Sequence, residues 1–195
     1  KEVSKEEFKN DNFDNPIFCN LETKDYVKSN SIKEFDLNHF IENPKKYISN
    51  ALEYLRSADV FISAHYWDPA SPKIFEKKNI NELNKLRVIG DITCDVDGSV
   101  PTTIRSSTIE NPNFYIDKNS YKEINNNDGL AIMAVDNLPS ELPRDSSKEF
   151  GNGIVSEVIP YILNDDDGRI LNATITINGS FLKKYNYLND YINST

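Results

Sequence analysis

Short continuous apolar runs alternate along this chain with longer polar stretches. Three runs, Asp59-Val-Phe-Ile-Ser-Ala64, Arg87-Val-Ile-Gly-Asp-Ile-Thr93 and Leu130-Ala-Ile-Met-Ala-Val135, have strand length and are rich in aliphatic residues. They predict strands buried on both faces. Ile17 to Leu21, after the turn-like Asp14-Asn15-Pro16, predicts a further short strand, and Phe114 to Ile116 another. Asn43-Pro44 predicts a helix start, with Tyr47, Ile48, Ala51, Leu52 and Leu55 at helical spacing behind it. The polar stretch Lys24 to Asn43 predicts a loop or short helix, and Ile80 to Leu86 a short helix. A long helix is expected from Pro143 or Ser146, where Ser146 and Glu149 have the spacing of a reciprocal cap. Phe150, Ile154, Val158 and Ile162 form its stripe, and Pro160 should kink or end it. Ala173 to Ile177, Asn178-Gly179 and Ser180 to Lys184 predict a hairpin on a tight turn, followed by an amphipathic segment, Tyr185 to Ile192.

Strands alternating with helices predict an α/β fold around a parallel sheet. The net charge of -9, with Lys and Arg scattered, argues against a nucleic-acid partner. No apolar run approaches the roughly 20 residues of a membrane span, so no membrane partner is expected. Lys1 to Phe8 is charged and unlike a signal peptide. Cys19 and Cys94 lack CxxC neighbours, so the expectation is two reduced thiols, a cytoplasmic protein and no metal site.

Candidate chemistry sits just after the three main strands, where open parallel sheets bind ligands. The first gives Ser63-Ala-His-Tyr-Trp-Asp68, the second Asp91-Ile-Thr-Cys-Asp-Val-Asp-Gly98, the third Val135-Asp-Asn-Leu-Pro139. Small residues permit close approach, and acids can orient a ribose or a reacting group. Plainer readings stand beside these. Asp91 reads equally as a buried acid satisfied by backbone amides. Asp95 and Asp97 suit a turn at Gly98, Asp136 a helix entry, His65 a packing role and His39 a solvated loop. No GxSxG, HExxH or GxxxxGK[ST] is present, so hydrolase and P-loop chemistry lack support.

The blocks Gly90-Asp-Ile-Thr-Cys-Asp-Val-Asp-Gly-Ser-Val-Pro101, Ser107-Thr-Ile-Glu-Asn-Pro112 and Met133-Ala-Val-Asp-Asn-Leu-Pro-Ser-Glu-Leu-Pro-Arg144 together resemble the lysine-forming saccharopine dehydrogenases. They are similar, more loosely, to alanine dehydrogenase and the related transhydrogenase subunit. Ala58 to Ala64 and Tyr187 to Tyr191 fit the same order, so the resemblance spans roughly residues 1 to 192. It implies a partial Rossmann-like domain, doubly wound with a mostly parallel sheet, carrying a C-terminal hairpin and helix. Residues 1-164 would be the remainder of a dinucleotide-binding domain lacking its first strand and glycine-rich turn. Residues 165-195 would belong to, or pack on, a missing amino-terminal catalytic domain.

The resemblance further implies NAD as cofactor and a small-molecule amino acid as substrate, and it leaves room for a homo-oligomer. Ala64, His65 and Tyr66, then Cys94, Asp95 and Val96, then Val135, Asp136, Leu138 and Pro139 would line the nicotinamide and its ribose. Asp95 and Asp136 match acids near the reacting centre, and the acid at 136 favours the saccharopine branch over the alanine branch. Asn20 stands where the family holds the adenosine ribose with an acid. An asparagine cannot repel a 2′-phosphate, so NADP is not excluded. No GxGxxG occurs in the chain, and the family's lysine and histidine pair has no counterpart here. The expected activity is conversion of saccharopine to lysine and 2-oxoglutarate, with the 195 residues alone inactive. The alternatives are an alanine dehydrogenase-type enzyme and a non-enzymatic Rossmann-like binding or assembly remnant.

Overall fold

The structure is a computed structural model that describes residues 1–9, 13–29 and 31–193. The chain divides into two compact units, Lys1–Leu138 and Pro139–Thr195.

In the first unit, β1 (Val27–Ser29) and β2 (Tyr47–Ser49) form a separate antiparallel pair. β3 (Val60–Ser63), β4 (Val88–Asp91), β5 (Asn113–Ile116), β6 (Glu123–Ile124) and β7 (Leu130–Met133) build one sheet in the order β3-β4-β7-β5-β6. β3, β4 and β7 are parallel, and β5 runs against both of its neighbours, β7 and β6. Four of the five strands therefore point one way, as an α/β fold with a mostly parallel sheet requires.

The core is a row drawn across this sheet. Phe61 sits beside Ile89, Ile89 beside Ile132, and Ile132 beside Phe114. Ile89 and Ile132 have no exposed surface, and Ile80, Leu83, Leu86 and Val100 pack around them. Burial of this kind contributes about 1.5–3 kcal/mol per large aliphatic side chain. The opposite face is different. Val60 and Ile62 are 55% and 64% exposed, although the continuous apolar runs predict burial on both sides.

Two local expectations give way to tertiary context. The helix expected from Asn43-Pro44 through Leu55 is interrupted. One 3-10 turn covers Pro44–Lys46, β2 follows, and only Leu52–Leu55 is α-helical. Tyr47, Ile48 and Ser49 read buried, exposed, half-buried, because Tyr47 turns into a cluster with Phe35 and Phe40. That cluster, with pairing to β1, outweighs the helical spacing. His39 joins it through a 2.9 Å bond to the Tyr47 hydroxyl, which corrects its reading as a merely solvated residue. Ile17 to Leu21 forms no strand. It is extended only at an isolated parallel bridge between Glu2 and Phe18. The polar stretch after Thr23 is more ordered than expected, with helices Thr23–Tyr26 and Leu37–Glu42 flanking β1. The short helix expected over Ile80 to Leu86 lies earlier, as a 3-10 helix over Lys77–Glu82.

A 3-10 helix over Leu138–Glu141 precedes the long helix Pro143–Glu157, where proline occupies the first turn and no Ser146 cap is used. The stripe breaks before Pro160, which starts the separate helix Ile159–Leu163. β8 (Thr176–Ile177) and β9 (Ser180–Phe181) form the hairpin. Asn178 and Gly179 both have positive φ (51° and 79°), the combination a type I′ turn demands. Inside the second unit, Arg169 pairs with Glu157 at 2.8 Å and stacks on the Tyr161 ring at 3.6 Å.

Candidate functional site at the carboxyl ends of three parallel strands

Register places the ends of β3, β4 and β7 side by side. Ser63 pairs with Asp91, and Gly90 with Met133. The segments following these strands therefore emerge along one edge of the sheet. They carry Ala64, His65 and Tyr66; Cys94, Asp95 and Val96; and Val135, Asp136 and Leu138. Pro139 is the first residue of the second unit.

A buried carboxylate organises the middle segment. Asp91 has no exposed surface. One of its oxygens accepts from the Thr93 backbone N–H at 3.2 Å and the Thr93 hydroxyl at 2.5 Å. The other accepts from the Thr103 hydroxyl at 2.6 Å. Asp91 is thus the satisfied buried acid that the plainer reading foresaw, but threonine hydroxyls do most of the satisfying. The chain between these threonines makes a tight turn. Gly98 N–H donates to Asp95 C=O at 2.8 Å, and Asp97 N–H to Thr103 C=O at 3.0 Å. Cys94 and Asp97 adopt positive φ (57° and 54°), a strained state for residues with a Cβ. A Cβ on Gly98 would lie 2.3 Å from that of Asp95, so only glycine fits there. Asp95 and Asp97 are indeed turn residues, and the turn presents Asp95 and Val96 to solvent.

Cys94 ties the strand ends together. Its thiol lies 3.0 Å from Asp91 C=O and 3.1 Å from Val135 C=O. Burial raises its pKa above the ordinary thiol value, and Asp91, Asp136 and Asp95 push it the same way. The thiol stays protonated near neutrality and donates to carbonyls rather than acting as a nucleophile. Alkylation of Cys94 by iodoacetamide at neutral pH is therefore expected to run slower than that of free cysteine. Mass-spectrometric time courses would show it, and a rate at or above that of free cysteine would contradict the assignment.

His65 hydrogen-bonds the buried Ser63 hydroxyl through Nδ1 at 3.3 Å and packs near the Tyr26 ring. Burial lowers its pKa, and the carboxylates of Asp91 and Asp95 offset this only partly, so the ring is neutral at pH 7. It is both a packed histidine and a strand-end residue. Ala64 and Asp136 are exposed, Tyr66 is 91% exposed, and Val135 is buried. Asn20 lies with Ala64 and His65 on the wall of one cavity of about 890 Å³. Sequence reasoning missed the contributions of Ser63, Thr93 and Thr103. Thr93, two residues after Asp91, carries a local turn signal, whereas Thr103 comes to Asp91 only through the fold.

Ala64, Asp95 and Asp136 are exposed in the segments that follow three neighbouring strands. The chain is similar to alpha-aminoadipic semialdehyde synthase of Arabidopsis thaliana, 29% identical over 182 residues. That match covers 87% of this chain and 17% of the relative. The mitochondrial enzyme of the same name from Rattus norvegicus is 24% identical, covering 79% of this chain and 20% of the relative. A saccharopine dehydrogenase (NAD(+), L-lysine-forming) of Schizosaccharomyces pombe is 25% identical over 145 residues, covering 72% of this chain and 36% of the relative. The chain thus spans about a sixth to a third of the length of these curated relatives. Among the described residues no helix is long and apolar enough to cross a membrane. Residues 19–185 match the family described as "Alanine dehydrogenase/PNT, C-terminal domain", and the chain belongs to that family.

Proposed function

We propose that these residues form part of the cofactor-binding half of an amino-acid dehydrogenase that converts saccharopine to lysine and 2-oxoglutarate. The observation that carries this reading is the meeting of small and acidic residues at three adjacent strand ends. The names of the relatives support the substrate. The acid at position 136 favours the saccharopine branch over alanine dehydrogenase.

The donor set fits the nicotinamide end of a dinucleotide. Ala64, Cys94 and Val135 are small or medium-sized. Asp95 and Asp136 are exposed at the strand ends, and Asn20 offers an amide to a ribose hydroxyl. NAD is the proposed cofactor, with NADP allowed by the asparagine. When bound, the nicotinamide would supply a hydride acceptor. The Asp95 and Asp136 carboxylates would then stabilise positive charge developing on the substrate as its C–N bond is oxidised to an imine. The protonated Cys94 thiol holds the turn without competing as a nucleophile, and neutral His65 adds no charge at the strand end. Water adds to the imine carbon, and the C–N bond breaks to release lysine and 2-oxoglutarate. The groups that move protons in this step are proposed to lie in the catalytic domain, on which residues 165-195 would pack. Two free cysteines suit a reducing compartment such as the cytoplasm.

The 195 residues hold no glycine-rich turn for a pyrophosphate. Calorimetric titration of this chain with NAD is therefore expected to give weak binding or none, and no saccharopine-dependent reduction of NAD. Tight binding by the chain alone would overturn the half-site reading. In a longer protein that turns over saccharopine, Asp136→Ala is expected to lower kcat/KM by about tenfold or more. Preference for alanine and pyruvate in the same assay would move the protein to the alanine branch.

A further inference from the structure

The turn from Cys94 to Gly98 is held from outside as well as by its own bonds. The segment that leaves β3 meets it just before and within the start of the 3-10 helix Lys77–Glu82. Lys73 Nζ donates to the Asp97 C=O at 2.6 Å. Lys77 Nζ lies 3.2 Å from the Asp97 carboxylate. Between the two lysines, Ile74 N–H donates to the Ser99 C=O at 2.8 Å. Residues 73–77 are thus tied to residues 97–99 through a backbone bond and two ammonium groups.

The two lysines are not equal. The Lys77 and Asp97 side chains are 50% and 64% exposed, so water and salt screen their pair. Lys73 is half-buried, and its root is fixed. The adjoining Ile74 is buried in the core, and its C=O accepts from the Ser49 hydroxyl at 2.5 Å. A long side chain on an anchored backbone gives up less freedom when it bonds. The acceptors differ as well. A bond to the Asp97 carboxylate fixes a side chain that can rotate, whereas a bond to the Asp97 carbonyl fixes the peptide itself. That peptide needs holding, because Cys94 and Asp97 both have positive φ, a backbone state that residues with a Cβ seldom adopt.

We propose that Lys73 is a positioning residue. Through the Asp97 carbonyl it holds the Cys94 to Gly98 turn in the conformation that presents Asp95 in the segment after β4. It acts through Asp95 and not on the substrate. The inference rests on the reading above for the role of Asp95, but the bond it invokes is tested apart from turnover.

The test is made in a longer protein that contains this chain and reduces NAD with saccharopine. Lys73→Met keeps the stem and removes the donor. Hydrogen exchange at the Asp97 and Gly98 amides should quicken about tenfold, while Ile89 and Ile132 stay protected. The kcat/KM for saccharopine should fall about fivefold. In an Asp95→Ala background the same substitution should change it by less than about twofold, because the group being positioned is gone. A lysine that only stabilised the fold would lower the active fraction by the same factor in both backgrounds. Lys73→Arg keeps a donor and should recover most of the loss. Asp97→Asn removes the carboxylate charge and keeps the carbonyl, so exchange and kcat/KM should stay within about twofold of wild type. Unchanged exchange at Asp97 and Gly98, equal losses in the two backgrounds, or a loss in Asp97→Asn as large as in Lys73→Met would overturn the proposal. So would failure of Lys73→Met to fold, since the lysine would then serve the core. A parent protein that does not turn over saccharopine would sink the dehydrogenase reading, and the exchange pattern would still decide whether Lys73 holds the turn.

Discussion

Replacing Asp91 with alanine is expected to lower the unfolding free energy of the first unit by about 3 kcal/mol, within a range of roughly 2–5. The carboxylate has no exposed surface and accepts three hydrogen bonds, from the Thr93 backbone N–H and the Thr93 and Thr103 hydroxyls. Its removal leaves those donors without their acceptor in a region that excludes water, and opens a void beside Ser63. Asp91→Asn keeps the volume and one acceptor oxygen, and a threonine hydroxyl can rotate to accept from the new amide. It should cost about half as much or less. Urea unfolding followed by circular dichroism would measure both. A loss below about 0.5 kcal/mol for the alanine variant would mean that the network carries no net stability.

Gly98→Ala is expected to be the most damaging small substitution in the candidate site. The added methyl carbon would sit 2.3 Å from the Asp95 Cβ and 2.7 Å from its carbonyl oxygen. One of those neighbours is backbone, so no side-chain rotation relieves the clash. The turn from Cys94 to Gly98 must open, at a cost of about 1–3 kcal/mol. The distinguishing signature is local. Exchange at the Gly98 and Asp97 amides, which bond Asp95 and Thr103, should quicken about tenfold, while Ile89 and Ile132 in the core stay protected. Gly153→Ala is the control, because nothing lies within 4 Å of a Cβ there. It should be neutral or slightly stabilising through helix propensity. Equal effects at the two glycines would contradict the reading of the Gly98 turn as tightly packed.

Much of the sheet was legible in the sequence because burial leaves a dense signal. The runs ending at Ala64, Thr93 and Val135 became β3, β4 and β7, and Asn178-Gly179 became a hairpin turn. Ala64 directly follows β3, and Asp95 and Asp136 come a few residues after β4 and β7, so the apolar runs pointed to them as well. Segments whose partners are distant were less legible. Tyr47 to Leu55 satisfies a helical period on paper, yet Phe35, Phe40 and β1 draw its first part into a strand. Ile17 to Leu21 has strand composition but only one bridge. A strand is defined by pairing, and composition cannot supply the neighbour.

The sequence by itself determined the α/β class, the order of the buried strands, the family blocks and the residues at the strand tips. Each is written in contiguous residues, where apolar runs and turn residues act locally. Only the tertiary structure decided that Thr103 closes the Asp91 network, that Cys94 bridges to Val135 just past β7, and that β3 is an edge strand of its sheet. These depend on which backbone and side-chain groups meet across the fold. Hydrogen bonds act over about 3 Å in space whatever the separation along the chain.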